Sequence, residues 1–377
     1  MPKQYEMRKA CFACTTPYQV LGAVSIVLEE KIDADIYVFG TFSDYLETAK
    51  RLEHLCIFKN VFPVNCDKTL FLGKKKKGII VDTQAFFQVA FPDHYVSEYL
   101  DRGIAYETFY SSSRAHVKIL LQRVLQKRNP QMRIVIYDDG LGSYIEESHV
   151  LQTSKKRKRI ENLLGWYIFN PDLITIQLYL PQIAKIPQEL SRCPVSQMPR
   201  LDWNKTEKRG IIKAIFGISD SVKYTERIIL FDNVRGSLAR RSMFEKIDEC
   251  YNNIISIAGE ENVLFKGHPR SVESPSIQIK TIRERGVSME VFYSEMSDLD
   301  SRILIAYNST AAYTPKMLFN KEPWVINIHR IVGPPLQGSS EALYQTFLPT
   351  YEKKEKMLAP NTMEELRQML DTALKVR

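Results

Sequence analysis

Short apolar runs alternate with longer helical patterns along the chain, and this alternation restricts the fold more than any other feature. In the first half, apolar runs at residues 10–15 and 35–39 predict strands, and apolar periodicity at 17–30 and 43–54 predicts helices. Strands and helices that alternate in this way form βαβ units around a parallel sheet. The sequence therefore predicts the α/β class.

The same alternation recurs in the second half, after a stretch from residue 171 to 210 in which prolines are frequent and periodicity fades. Such a stretch is typical of a connection between domains, and a chain of 377 residues exceeds the usual size of one core. We expect two Rossmann-like domains, 1–205 and 206–377, with a cleft between them, and a last helix able to pack back on the first domain. The further elements predicted are strands at 61–65, 78–81, 133–137, 227–232, 262–266, 302–307 and 324–328, and helices at 113–126, 243–258, 309–319 and from Thr362. Pro315 can kink the helix at 309–319, and Thr362 and Glu365 have the spacing of a capping box.

Composition restricts the class of protein. Hydrophobic residues make up 44% and charged residues 25%, as in a soluble globular protein, and no uninterrupted apolar run is long enough to span a membrane. The six cysteines lack the spacing of a zinc site, so we expect reduced thiols, although Cys11 and Cys14 are a candidate redox pair. No signal peptide is evident, and these features together favour the cytoplasm.

The formal net charge of +8 favours an anionic partner. Basic residues concentrate in two runs, Lys74 to Lys77 and Lys155 to Arg159. Nucleic acid and the acidic inner face of a membrane are both candidates. A solvated loop and a solvated helix end explain the two runs equally well.

The segment Lys266-Gly267-His268-Pro269-Arg270 follows an apolar strand and carries the most specific chemical signal. Pro269 stiffens the backbone beside the imidazole, Gly267 permits close approach of a ligand, and the two basic residues suit a phosphate. We interpret His268 as functional and the other five histidines as ordinary polar residues.

Asn308, Ser309 and Thr310 follow another predicted strand and open a predicted helix. Unpaired helix N–H groups together with two hydroxyls would form an anion pocket. Simple N-capping by Asn308 or Ser309 is the alternative, and it is compatible with phosphate binding.

Asp138, Asp139 and Gly140 follow the strand at 133–137, at the sheet edge where α/β proteins bind ligands. Adjacent carboxylates repel, so one of them would hold its proton more readily and could serve as a base. A turn with a capping carboxylate is an equally good interpretation. No third ligand at a recognisable spacing supports a metal site.

Two further strand ends carry polar residues. Thr16, Pro17 and Gln19 stand at the end of the first strand, and Asp232 stands at the corresponding position of the second half. Asp232 is a reserve candidate for acid/base work or for a ribose contact. Helix caps or turns explain both places equally well.

Together these segments resemble bacterial sialyltransferases of the two-domain GT-B type, which build lipooligosaccharide and capsular polysaccharide. The matching pieces are Tyr137-Asp-Asp-Gly140, their D/E-D/E-G motif, Phe265-Lys-Gly-His-Pro269, their HP motif, and Ser309-Thr310, their serine-rich phosphate motif. Thr16-Pro-Tyr-Gln19 also resembles the start of glycosyltransferase family 52. The motifs occur in the family's order over most of the chain, although each is short.

The resemblance implies an inverting transfer of sialic acid from CMP-sialic acid to a hydroxyl of a glycan acceptor. Asp138 would be the general base with Asp139 in support, and Gly140, Thr16, Pro17 and Gln19 would lie on the acceptor side. His268 would stabilise or protonate the departing CMP phosphate. No cofactor or metal would be required. The donor-side set implied by the resemblance is Lys266, Gly267, Pro269, Arg270, Asn308, Ser309 and Thr310.

The resemblance leaves alternatives open. In family 52 the base can come from the second domain, for which Asp232 is the counterpart, and some members use other donors such as CMP-Kdo or a UDP-sugar. A non-enzymatic protein that binds anionic surfaces or nucleic acid is the alternative from another class. For the enzyme we expect a lipid-linked glycan acceptor, contact with the inner face of the membrane through the two basic runs, and no nucleic-acid partner. The sequence leaves open the acceptor sugar, the linkage and the oligomeric state.

Overall fold

The computed structural model describes residues 6–66, 102–112, 115–144, 170–219, 224–233, 235, 241–268, 277, 279–282, 287–333 and 337–376. The predicted strand at 78–81, both basic runs, Pro269 and Arg270 lie outside these residues. The chain divides into two compact units, Met1–Asp202 with Ala214–Phe216, and Trp203–Lys213 with Gly217–Arg377.

The first unit contains a seven-stranded sheet with the order β3-β2-β1-β4-β5-β6-β7. All neighbouring strands run parallel. The chain order reverses direction between β1 and β4, which is the topological switch point of a Rossmann-like sheet. The strands are β1 (Glu6–Cys14), β2 (Ala34–Phe39), β3 (Val61–Val64), β4 (Ile104–Ser111), β5 (Arg133–Tyr137), β6 (Ile174–Leu178) and β7 (Val195–Gln197), and the helices are α1 (Pro17–Glu30), α2 (Tyr45–His54) and α3 (His116–Arg128).

Local chemistry explains where α1 begins. The Thr16 side chain accepts a hydrogen bond from the Gln19 backbone N–H at 3.2 Å, and Pro17 occupies the first helical position. Both are standard devices for starting a helix. All six residues of β2 are buried, as expected for a parallel strand that is covered on both faces.

The second unit contains a five-stranded parallel sheet with the order β12-β11-β10-β8-β9. A parallel bridge between Thr281 and Phe265 continues this sheet beyond β9. The switch point lies between β8 and β10. Helix α4 (Thr206–Phe216) begins in the second unit, and its last three residues, Ala214–Phe216, are assigned to the first. The strands of the second unit are β8 (Ile228–Phe231), β9 (Val263–Lys266), β10 (Ile303–Ala306), β11 (Trp324–Asn327) and β12 (Met357–Leu358), and its other helices are α5 (Arg241–Ala258), α6 (Met289–Tyr293), α7 (His329–Val332), α8 (Gln337–Phe347) and α9 (Met363–Lys375).

The last helix, α9, lies in the core of the second unit. Leu366, Leu370 and Ala373 belong to the same hydrophobic cluster as the strands of the second sheet. Thr362 caps this helix by accepting from the Glu365 N–H at 3.1 Å. The Glu365 carboxylate accepts from the Asn361 N–H at 2.7 Å, so the structure shows one half of the reciprocal capping-box pair.

The α/β class with two Rossmann-like halves is confirmed by these sheet orders. Two predictions about elements were wrong. Residues 309–319 do not form one α-helix, because a 3-10 turn at Thr310–Ala312 is followed by a π-helical segment at Pro315–Phe319. Pro315 has no N–H to continue an α-helix. The stretch from 171 to 210, predicted as a connection, contains β6 and β7.

Cys11 and Cys14 are both fully buried in β1. Residues three apart on a strand point to opposite faces, so these thiols cannot form a disulfide without backbone movement. The Cys14 sulfur lies 3.3 Å from the Tyr137 hydroxyl. The candidate redox pair is therefore excluded.

Across the described residues no helix is both long and apolar enough to cross a bilayer. Within the same residues, no group of three or more His, Cys, Asp or Glu side chains is arranged to hold a metal ion.

Candidate functional site

A polar cluster, called here the switch-point cluster, lies at the carboxyl ends of β1, β4 and β5, where the first sheet changes direction. Its members are Thr15, Gln19, Ser112, Lys118 and Asp139. Ligands of open α/β sheets bind at this place in the fold. Of these residues, the sequence predicted Gln19 and Asp139.

Gln19 is the centre of this cluster. Its side-chain oxygen accepts from the Thr15 N–H at 2.7 Å, from the Thr15 hydroxyl at 2.9 Å and from the Lys118 ammonium at 2.8 Å. Its side-chain nitrogen donates to Asp139 Oδ1 at 2.6 Å. Gln19 therefore joins a buried cation to a carboxylate.

Lys118 is a residue that sequence reasoning missed. Its side chain lies in the first turn of α3, is only 1% exposed, and also donates to Ser112 Oγ at 3.2 Å. Burial lowers the pKa of Lys118 to about 8, against the opposing effects of Asp139 and Cys14. A signal was present, because Lys118 interrupts a run in which Val117 and residues 119–121 are apolar, and a helix that is apolar all round is buried.

Asp138 and Asp139 have different environments although they are adjacent. Asp138 is 0% exposed and accepts from the Gly140 N–H at 2.7 Å, the Tyr179 N–H at 3.2 Å and the Tyr144 hydroxyl. Burial raises its pKa to about 7, although these hydrogen bonds oppose the rise. Asp138 thus holds the turn after β5 against the end of β6.

Asp139 is half-buried, so part of it lies at the surface of the first unit. Burial raises its pKa, while Lys118 and hydrogen bonds from Gln19 and Ser112 lower it. Gly140 has a φ of 82°, a left-handed conformation that glycine adopts without strain. This turn directs the two carboxylates to different surroundings.

In the second unit His268 is half-buried and follows the end of β9 by two residues. A Cβ atom added at Gly267 would lie 3.8 Å from the Phe265 ring, which is an ordinary contact. Packing against the described residues therefore does not require glycine at this position. Lys266 is buried, and its ammonium lies 5.6 Å from the centre of the Phe292 ring, inside the unit.

Asn308, Ser309 and Thr310 are half-buried at the carboxyl end of β10. Ser309 stands at the N-cap position of the 3-10 turn, but its side chain makes no capping hydrogen bond. Strand β8 separates β9 from β10 in the sheet. Because neighbouring strands lie about 4.8 Å apart, the ends of β9 and β10 are roughly 10 Å apart.

Asp232 lies at the end of β8 and is almost fully buried. Both of its oxygens accept from the Arg235 Nε, at 2.9 and 3.1 Å, and Arg235 also pairs with Asp248. Burial raises the pKa of Asp232 against the opposing effect of Arg235. The reserve candidate for the base is therefore part of a buried ion pair.

Thr16 and Pro17 begin α1, as described above, and Thr16 is exposed. His329 is fully buried with its Nε2 2.6 Å from Glu341, whereas His54 is exposed on α2. These two histidines fit the prediction of ordinary polar residues.

No family model matches the chain, and no curated protein matches it either. A solved structure, that of Acinetobacter baumannii MurG, is similar to it over 98% of this chain and 95% of that one, with 10% identity and a TM-score of 0.38. At that level the likeness carries no argument about activity. The class of the protein, two parallel α/β units, rests on its own sheet orders.

Proposed function

We propose that the protein is an inverting, metal-independent glycosyltransferase of the GT-B type that moves sialic acid from CMP-sialic acid to a glycan hydroxyl. The observation that carries the proposal is the placement of its polar motifs at the carboxyl edges of both sheets. Asp139 lies there in the first unit, and His268 and Ser309 lie there in the second. These edges are where α/β sheets bind nucleotides and their partners.

The second unit is proposed to bind the donor. His268 and the turn from Asn308 to Thr310 stand on the two sides of β8, roughly 10 Å apart by strand spacing. That span suits a nucleotide whose phosphate contacts hydroxyls and an imidazole. The absence of a packing reason for Gly267 among the described residues is consistent with close approach of a ligand.

His268 is proposed to stabilise or protonate the departing phosphate as the bond from the anomeric carbon to the CMP oxygen breaks. Neutralising that charge favours a transition state in which positive charge develops on the sugar. Ser309 and Thr310 would donate to the same phosphate. Lys266 would add positive charge to the donor site from inside the unit, where its ammonium is buried beside Phe292.

Asp139 is proposed as the general base that takes the proton of the acceptor hydroxyl, rather than Asp138. A base must come within about 2.6–3.2 Å of the proton donor. Asp138 is 0% exposed and already accepts four hydrogen bonds, whereas Asp139 is half-buried. Asp232 is the less suitable alternative because it is paired with Arg235.

The acceptor is proposed to be a lipid-linked glycan, such as lipooligosaccharide or a capsular polysaccharide, met at the inner face of the membrane. The support is the net charge of +8, which favours an anionic surface. A vesicle-binding assay with and without anionic lipid tests this part separately from catalysis.

Release of CMP from CMP-sialic acid, with water as acceptor, tests the proposed activity directly. We expect His268→Ala to lower this rate by about 10²-fold or more, in the range of acid/base contributions. His54→Ala is the matched control, because His54 is exposed on α2. Nucleotide release only from CMP-Kdo or from UDP-sugars would contradict the assignment of CMP-sialic acid as donor. Absence of nucleotide release from all of these donors would contradict the proposal that the protein is a glycosyltransferase.

A further inference from the structure

None of the roles proposed above explains why the Lys118 ammonium is buried. An ammonium that is only 1% exposed is costly unless it is paired. Its contacts include Gln19 Oε1 at 2.8 Å and Ser112 Oγ at 3.2 Å, and the charge of Asp139 acts on it. The charge is therefore buried at the switch point, where the sheet would bind a ligand.

The hydrogen bonds around Gln19 determine its orientation. The Thr15 N–H and the Lys118 ammonium can only donate, so the amide oxygen must face them. The amide nitrogen must then face Asp139, to which it donates at 2.6 Å. The Thr15 N–H and Lys118 together thus determine that Gln19 presents its amide nitrogen to the Asp139 carboxylate.

The other titratable groups at this place are Cys14, Tyr137 and Asp138. Burial raises the pKa of Cys14 to about 11 and the pKa of Tyr137 further above its usual range, so both stay neutral near pH 7. Asp138 is itself a carboxyl group, so it cannot supply a positive charge to balance the Asp139 carboxylate. Among the described residues that act on Asp139, Lys118 is therefore the one that supplies positive charge.

We infer that Lys118 is a positioning residue that holds Asp139 in one orientation and keeps it negatively charged, acting through Gln19 and Ser112. The inference rests on the proposed function, in which Asp139 is the base. Lys118 itself is not expected to touch the substrate.

The test is the pH dependence of CMP release from CMP-sialic acid by the full chain. Lys118→Met removes the positive charge, and an opposite charge nearby lowers a carboxyl pKa by about 1–3 units. We expect the acidic limb of kcat to move to higher pH by about one unit or more, with KM for the donor changed less than about twofold. Lys118→Arg keeps the positive charge, so its acidic limb of kcat should lie close to that of the wild-type protein.

Lys127→Met is the matched control, because Lys127 is exposed on the same helix. An acidic limb that stays in place in folded Lys118→Met overturns the inference. If Lys118→Met fails to fold, Gln19→Met tests the same connection between Lys118 and Asp139, and an acidic limb that stays in place in that variant also overturns the inference.

Asp139→Asn separates the two proposals. Wild-type rates in Asp139→Asn refute the base assignment, whereas an inactive Asp139→Asn with an unmoved limb in Lys118→Met refutes the positioning role alone.

Discussion

Asp138→Asn is the substitution for which the structure makes the sharpest prediction about stability. Asp138 accepts from the Gly140 N–H, the Tyr179 N–H and the Tyr144 hydroxyl. An asparagine has one oxygen and one NH₂ group in their place. The Tyr144 hydroxyl can rotate to accept from that NH₂ group, but the Tyr179 N–H can only donate and loses its acceptor.

A buried donor left without a partner costs about 1–3 kcal/mol of unfolding free energy. A second effect depends on pH. Because burial raises the pKa of Asp138 from 3.8 to about 7, the folded chain binds a proton that the unfolded chain has lost between these two values. Stability therefore falls as pH rises through this window, at about 1.4 kcal/mol per pH unit, and asparagine abolishes the effect.

The cost of Asp138→Asn should accordingly be larger at pH 5 than at pH 8, by about 3 kcal/mol. Urea unfolding at the two pH values, followed by hydrogen exchange of peptides from β5 and β6, measures this difference within the first unit. Asp44→Asn is the control and should change stability little at either pH, because Asp44 is exposed and its side chain makes no capping hydrogen bond to α2. An equal cost of Asp138→Asn at both pH values, or a larger cost at pH 8, would refute the argument that burial raises the pKa of Asp138 in the folded protein.

One further substitution in each unit tests the stability of that unit. Asp35 is 1% exposed and accepts from Arg8 at 2.6 Å, Tyr106 at 2.7 Å and Asn60 at 2.8 Å. Asp35→Ala should cost about 3–5 kcal/mol, because it leaves the Arg8 charge and the buried Tyr106 hydroxyl without this acceptor. Denaturant unfolding of the first unit checks this, and a cost below about 1 kcal/mol would contradict it. Thr362→Ala removes the N-cap of α9 and should lower the free energy of unfolding by about 1 kcal/mol, whereas Thr362→Ser keeps the hydroxyl and should be nearly neutral. Equal stability of the two variants in thermal unfolding would show that this cap does not stabilise the protein.

The secondary structure could be predicted where its causes are local. The bounds of α1 and β5 agree with those expected from the sequence, because a capping threonine, a proline and an apolar run act within a few residues. The segment after Ser309 was predicted as an α-helix kinked at Pro315, but the structure replaces that helix with a 3-10 turn and a π-helical segment. The sequence also missed three strands, β4, β6 and β7. The last two are short and lie among prolines.

The sequence by itself determined that two parallel α/β halves form and that Asp138, Asp139 and His268 stand just after strands. Periodicity and strand ends are properties of neighbouring residues, so they can be recognised without a fold. Only the tertiary structure decided which of the two aspartates is buried. The donors that surround Asp138 include the N–H of Tyr179, which follows β6, and the cation near Asp139 is Lys118 of α3. Because such partners are distant in the chain, burial and charge at this turn depend on the packing of the sheet.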